Sequence, residues 1–173
     1  MVIRVDVIDA CLEQIPKEEG KVLLMDPVGT TFQHSDALRL AREKHLIFIC
    51  GHYEGIDARV REELVDESLS IGDFVLTGGE LPAMMMVDAI ARQIKGVLGS
   101  AGSLEKESFS DGLLEAPQYT RPRSYKEWEV PDILLSGHHA NIEKWREGQS
   151  LELTKRLRPD LIKKSIDSGK KTE

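Results

Sequence analysis

The tightest constraint on the fold is residues 70–83, SIGDFVLTGGELPA. Phe74, Val75 and Leu76 are strand-forming types, and Gly78 and Gly79 interrupt them at once. Glu80 and Pro82 then suit the first turn of a helix, where negative charge is favoured and a missing N–H costs little. The stretch therefore predicts the end of a buried strand, a glycine turn and the start of a helix. Residues 49–55, ICGHYEG, repeat the pattern with Gly51 and Gly55. Residues 21–26, KVLLMD, run into Pro27 and Gly29 in the same way. Strands that dissolve into glycine at their tips are the sequence form of an α/β ligand crevice.

The rest of the chain fits that frame. Val5, Ile8, Leu12 and Ile15 share one face at helical spacing, so a helix opens the chain and Pro16 and Gly20 close it. Residues 21–26, 46–50 and 68–76 predict three buried strands. Between them Ser35 is a candidate cap for a helix carrying Leu38 and Ala41, and Ile56, Val60 and Leu64 mark another helix. Ala83, Val87, Ile90, Ile94 and Val97 predict a longer helix closed by Gly99, with Met84, Met85 and Met86 as adaptable core or dimer surface. Residues 100–132 are polar and aperiodic, which fits an active-site cover or linker. Residues 133–135 suit a short strand, and Ile142, Trp145, Leu151, Leu157 and Leu161 a C-terminal helical part. The alternation of strands and helices predicts a mostly parallel sheet with helices on its faces. The expected units are 1–100 (α/β), 101–132 (linker or cover) and 133–173 (helical).

Composition narrows the class. With 173 residues, 40% hydrophobic and 31% charged, the chain suits one good core plus a small appendage. Cys11 and Cys50 are too few for a disulfide framework, and no apolar run reaches membrane-spanning length, so a cytoplasmic protein without a membrane partner is expected. The net charge of −7 argues against wholesale coating of nucleic acid. Residues 141–173 nevertheless carry nine Lys or Arg against six Asp or Glu, while residues 1–140 carry 14 against 24. That basic end is either a local phosphate-contacting surface or a solvated helix face with a frayed tail.

No phosphate-loop or dinucleotide fingerprint follows any strand. The glycine turns instead offer backbone N–H and C=O groups, suited to an adenine edge or an amino-acid zwitterion; three ordinary tight turns would look the same. Glu107, Asp111 and Glu115 sit in the long polar segment, where a carboxylate could act as a base once closure strips its water. His138 and His139 are adjacent, no Cys-x-x-Cys exists, and a zinc site is not expected. Cys50 ends an apolar strand, which suits a buried, inert thiol better than a nucleophile paired with His52.

Four segments together resemble one family. Residues 49–57, ICGHYEGID, are similar to its CGRYEG[IV]D, and residues 70–83 to its SIGDYVLSGGELPA. Ser108-Phe109, Gly112-Leu113-Leu114 and Tyr119-Thr120-Arg121-Pro122 resemble its DSF..GLL....YTRP, and residues 130–140 its VP..LLSGNHA. The family is the bacterial tRNA (guanine-N1)-methyltransferase, TrmD, of the SPOUT class, and the match runs from the first residues to Leu161. The resemblance implies an α/β domain with a trefoil knot, a small helical tRNA-contacting domain, a homodimer with shared active sites, and magnesium dependence. The implied reaction is methylation of N1 of the tRNA guanosine 3′ of the anticodon (guanosine-37), with S-adenosylmethionine held by three loops. Those loops carry Leu24, Met25 and Pro27; Gly51, Tyr53, Glu54 and Gly55; and Ile71, Gly72, Asp73, Phe74, Val75, Leu76, Gly78 and Gly79.

By the same resemblance Arg92 would steady guanine O6 and Glu107 would be the general base, one methylene longer than the family's usual Asp. His52, Glu115, Gln118 and Trp145 would touch the substrate; His52 stands where better-known members have Arg, and Gln118 where they have His. The family's first strand, helix and Gly-rich loop precede the point matched by Met1. The expectation is that cofactor binding persists and tRNA methylation is at risk. The alternative is a non-catalytic cofactor- or RNA-binding remnant.

Overall fold

The computed structural model describes residues 1–16, 20–98 and 104–167. It divides into two compact units, Met1–Ala101 and Gly102–Glu173.

The first unit is built on β1, Lys21–Thr31, between β2, Leu46–Cys50, and β3, Glu67–Ser70. Both neighbours run parallel to β1, in the order β2-β1-β3. Because side chains alternate along a strand, β1 feeds two cores. Leu23 and Met25 pack with Ala37 and Leu40 of α2 (His34–Leu40) and with Ala83, Met86 and Ile90 of α3 (Glu80–Ala91). Val22 and Leu24 pack with Leu12 of α1 (Val5–Glu13), Ile47, Ile49 and Val60. The parallel sheet with helices on both faces agrees with the sequence reading.

The strand tips differ in detail from that reading. β1 continues beyond Pro27, but Met25 and Thr30 both pair with Leu69, so residues 26–29 bulge out of the ladder. Proline lacks an N–H and is tolerated where the ladder is interrupted. β3 ends at Ser70, well short of the expected 76. Gly72 sits at φ +144, and the Ser70 hydroxyl both accepts the Gly72 N–H (3.2 Å) and donates to the Gly72 carbonyl (3.1 Å). This local knot of bonds turns the chain out of the sheet, and Phe74, Val75 and Leu76 are exposed on a loop, Val75 at 81%.

The helices also shift. Gln33 precedes α2 and donates its N–H to Asp36 (2.9 Å), so Ser35 lies inside the first turn and is not the cap. Ala37 and Leu40 are buried, whereas Leu38 is exposed. The helix expected from Ile56 to Leu64 is a π-helical turn, Val60–Leu64. In α3 the buried stripe is Ala83, Met86 and Ile90; Val87, Ile94 and Val97 are exposed. Arg92 caps α3 at its C-terminus. The expected closure at Gly99 lies outside the described residues, as do residues 168–173 of the tail.

The second unit holds a 3₁₀ turn (Leu104–Lys106), a hairpin of β4 (Ser124–Tyr125) and β5 (Trp128–Glu129), and helices α4 (Asp132–Leu135), α5 (His139–Leu157) and α6 (Pro159–Asp167). Residues 133–135 are thus a helical turn and not a strand; Pro131 opens it and Asp132 occupies its first turn. The segment expected as a linker is bonded to α5 within this unit. The Leu114 N–H donates to Thr154 Oγ1 (2.9 Å), Ser150 Oγ donates to the Leu114 carbonyl (2.6 Å), and Lys106 pairs with Glu143 (2.6 Å).

Candidate functional site

In the first unit the ends of all three strands face one opening. Gly79 is wedged there: a β-carbon on it would stand 2.8 Å from Cys50 Cα and 3.0 Å from Met25 Cβ. Its N–H donates to the Gly51 carbonyl (2.8 Å), tying the loop after β3 to the tip of β2. Gly78 is similarly crowded, with His52 Nδ1 2.6 Å from where its β-carbon would be, and His52 and Gly78 form an antiparallel bridge. Only glycine lets the two loops approach this closely.

A cavity of about 350 Å³ opens between these tips, within the size range of small-molecule sites. Leu24, Met25 and Pro27 of β1 line it, with Gly51, His52, Tyr53, Glu54 and Gly55 from the loop after β2 and Ile71, Phe74, Val75, Leu76, Gly78 and Gly79 from the loop after β3. Gly72 and Asp73, singled out with them in the sequence, lie outside the lining. Gly72 serves the turn itself through its positive φ. Tyr53 also adopts φ +60, uncommon for a bulky residue, with its ring edge-on to His52 at 4.8 Å.

Three charged groups beyond the named site residues also line the cavity. Asp26 and Arg61 pair across the cavity rim at 3.1 Å. Asp57 also lines it, and the Arg59 guanidinium, with the Arg59 backbone N–H, holds its carboxyl down at about 2. Asp26 directly precedes the Pro27 turn and was legible in principle; Arg61 lies in the π-helical turn, which the sequence did not announce. The rim thus carries Asp26, Glu54 and Asp57 against Arg61, while Leu24, Met25, Leu69 and Phe74 supply apolar walls. Such a site suits a ligand with a flat or apolar part and a positive charge.

Cys50 is half-buried, and burial followed by the nearby Glu80 charge pushes its thiol up. That opposes thiolate chemistry. Among the described residues no group of three His, Cys, Asp or Glu is placed to hold a metal ion, and no helix is long and apolar enough to cross a membrane.

The remaining candidates lie elsewhere. Arg92 is half-buried at the end of α3, outside the lining. Glu107 follows the 3₁₀ turn of the second unit and is half-buried. Asp111, the other candidate base, accepts the Leu113 N–H (3.0 Å). Gln118 Nε2 donates to Glu115 Oε1 at 2.5 Å, bringing two of the substrate candidates together. Trp145 is half-buried, with the Tyr119 ring 6.3 Å away.

A family model described as tRNA (Guanine-1)-methyltransferase TrmD matches residues 1–164. A tRNA (guanine-N(1)-)-methyltransferase of Geobacter sulfurreducens is 54% identical over 167 residues, 95% of this chain and 68% of that protein. The namesake of Desulforamulus reducens is 60% identical over 144 residues, 83% of this chain and 57% of its own length. That of Staphylococcus aureus is 58% identical over 147 residues, 85% and 60% respectively. The chain therefore spans about 57–68% of the length of these relatives.

Proposed function

The chain belongs to the TrmD family of tRNA (guanine-1)-methyltransferases, and we propose on that premise that it binds S-adenosylmethionine in the three-loop cavity and methylates N1 of the tRNA guanosine 3′ of the anticodon. The observation that carries the reading is the convergence of the three glycine-bearing strand tips on one acid-rimmed cavity. The donor is a cation through its sulfonium and ammonium groups, and Glu54, the rim acid outside the Asp26–Arg61 and Asp57–Arg59 pairs, would meet that charge. Leu24, Met25, Ile71 and Leu76 of the lining would give its adenine apolar walls. When bound, the donor supplies an electrophilic methyl group.

The chain's own contribution is proton and charge management. Glu107 would take the N1 proton of guanine, leaving the N1 lone pair free to accept the methyl group, and Arg92 would stabilise the negative charge that gathers on O6. Oxyanion-type stabilisation of this kind is typically worth about 3 kcal/mol. His52, Glu115, Gln118 and Trp145 are assigned to substrate contact. The SPOUT knot and a cytoplasmic setting come with the same reading. A homodimer also belongs to it: Leu81, Met84, Met85 and Val87 leave an exposed apolar face on α3 for a second copy. No step is assigned to magnesium, for which the described residues offer no cluster.

Transfer of radiolabelled methyl to unmodified tRNA tests the reading. Label at N1 of the guanosine beside the anticodon is expected, with turnover reduced roughly a hundredfold by Arg92→Ala at unchanged cofactor affinity and abolished by Glu107→Gln. Cofactor binding without any transfer would identify a non-catalytic binder instead. Equal loss of turnover and cofactor affinity in Arg92→Ala would remove Arg92 from the reaction.

A further inference from the structure

We infer that the β4–β5 hairpin is a stacking platform for an unpaired base of the RNA, with Tyr125 and Trp128 as its rings and Lys126 as the cation facing the adjoining phosphate. The inference rests on the tRNA reading above. Tyr125 and Trp128 are cross-strand partners, so their side chains leave the same face of the hairpin. Their ring centroids are 5.9 Å apart, and the residues are 56% and 68% exposed. Large aromatics left bare side by side serve no core.

Lys126 supplies the second, independent observation. Its amine stands 5.5 Å from the Tyr125 ring centre and 5.6 Å from that of Trp128. It holds φ +56 in the turn, a conformation that favours glycine. A lysine kept where glycine would be relaxed points to a use for its side chain. A cation beside two exposed π-faces matches a nucleotide, which offers a flat base and an anionic phosphate one bond-chain apart. Arg121 adds positive charge to the same segment, whereas Arg123 is committed to Asp132 at 2.8 Å. Of the nearby acids, Glu129 pairs with Ser124 on the opposite face and Glu127 lies at the turn. Trp145, the tryptophan favoured from sequence, is half-buried with the Tyr119 ring 6.3 Å away, so the more exposed indole is that of Trp128.

The test is tRNA affinity of the full chain at fixed salt, with S-adenosylmethionine affinity measured in parallel. Trp128→Ala is expected to weaken tRNA binding roughly tenfold. Trp128→Leu, which keeps apolar bulk without a π-face, should weaken it similarly, and Trp128→Phe should restore most of it. Lys126→Gly should relax the turn yet lower the affinity and its salt dependence. Cofactor affinity should not move in any variant. Wild-type tRNA affinity in Trp128→Ala and Lys126→Gly overturns the platform while leaving the methyltransferase reading intact. Loss of self-association in place of tRNA affinity overturns it too, assigning the rings to a second copy. A wild-type chain that does not bind tRNA overturns the platform together with the tRNA reading.

Discussion

Gly79 shows how one residue sets the site. Its missing β-carbon lets the loop after β3 lie against Cys50 and Met25, and its N–H holds the Gly51 carbonyl. Gly79→Ala must open that contact by several tenths of an ångström against backbone atoms, an overpacking cost of roughly 1–3 kcal/mol. The variant is expected to remain folded, with a lowered denaturation midpoint, and to lose S-adenosylmethionine binding because the cavity mouth is displaced. A variant that binds with wild-type affinity would show that the loop packing does not define the pocket. The glycines announced themselves in the sequence because their type alone encodes close approach. The charges at the rim did not: Asp26, Asp57 and Arg61 are ordinary surface residues until the fold brings them to one opening.

Glu67 of β3 joins three elements: it accepts two hydrogen bonds from Arg39 of α2, both 2.7 Å, and one from Lys21 of β1 at 3.0 Å. Arg39, opposed in part by burial and assisted by Lys21, lowers the Glu67 carboxyl below the ordinary value of 4.5, while Glu67 raises Arg39. The lowered folded-state value means the charge network stabilises the fold fully above pH 4.5 and ceases to do so as pH falls through that lowered value. Because these side chains are a quarter to two-fifths exposed, solvent screening limits the contribution to about 1 kcal/mol. Glu67→Gln should therefore unfold more easily than wild type at pH 7, with the gap narrowing as the pH falls below 4.5 by calorimetry; a gap independent of pH would exclude the ionic origin. In α3, Met86 is fully buried while Met85 is 60% exposed. Met86→Ala should cost about 2–5 kcal/mol of stability, whereas Met85→Gln should change stability little and weaken self-association in ultracentrifugation. Periodicity placed α1, β2 and the buried start of β1 well, since short apolar runs there coincide with burial. It misplaced β3 and α3 for one reason. Phe74–Leu76, Val87, Ile94 and Val97 are apolar yet exposed, and hydrophobicity alone does not separate residues that fill a core from residues reserved for a ligand or partner.

At the scale of the whole chain the assigned chemistry is divided between two units. The first, Met1–Ala101, holds the cavity and Arg92; the second, Gly102–Glu173, holds Glu107, Glu115, Gln118, Trp145 and the aromatic hairpin. The first was the more legible because strand tips and glycine turns are local signals. The second was read largely through its resemblance to a family, since its order comes from contacts spaced far apart in sequence, such as Leu114 with Thr154 and Lys106 with Glu143. On this account the cavity recognises the donor through groups of the first unit alone, so donor binding does not wait for RNA. The decisive measurement is isothermal titration calorimetry of S-adenosylmethionine into the purified full chain without tRNA. A saturable exothermic isotherm is expected, shared by S-adenosylhomocysteine and abolished in Gly79→Ala. A flat titration of the folded wild-type chain at millimolar ligand, or an isotherm indifferent to Gly79→Ala, would contradict it.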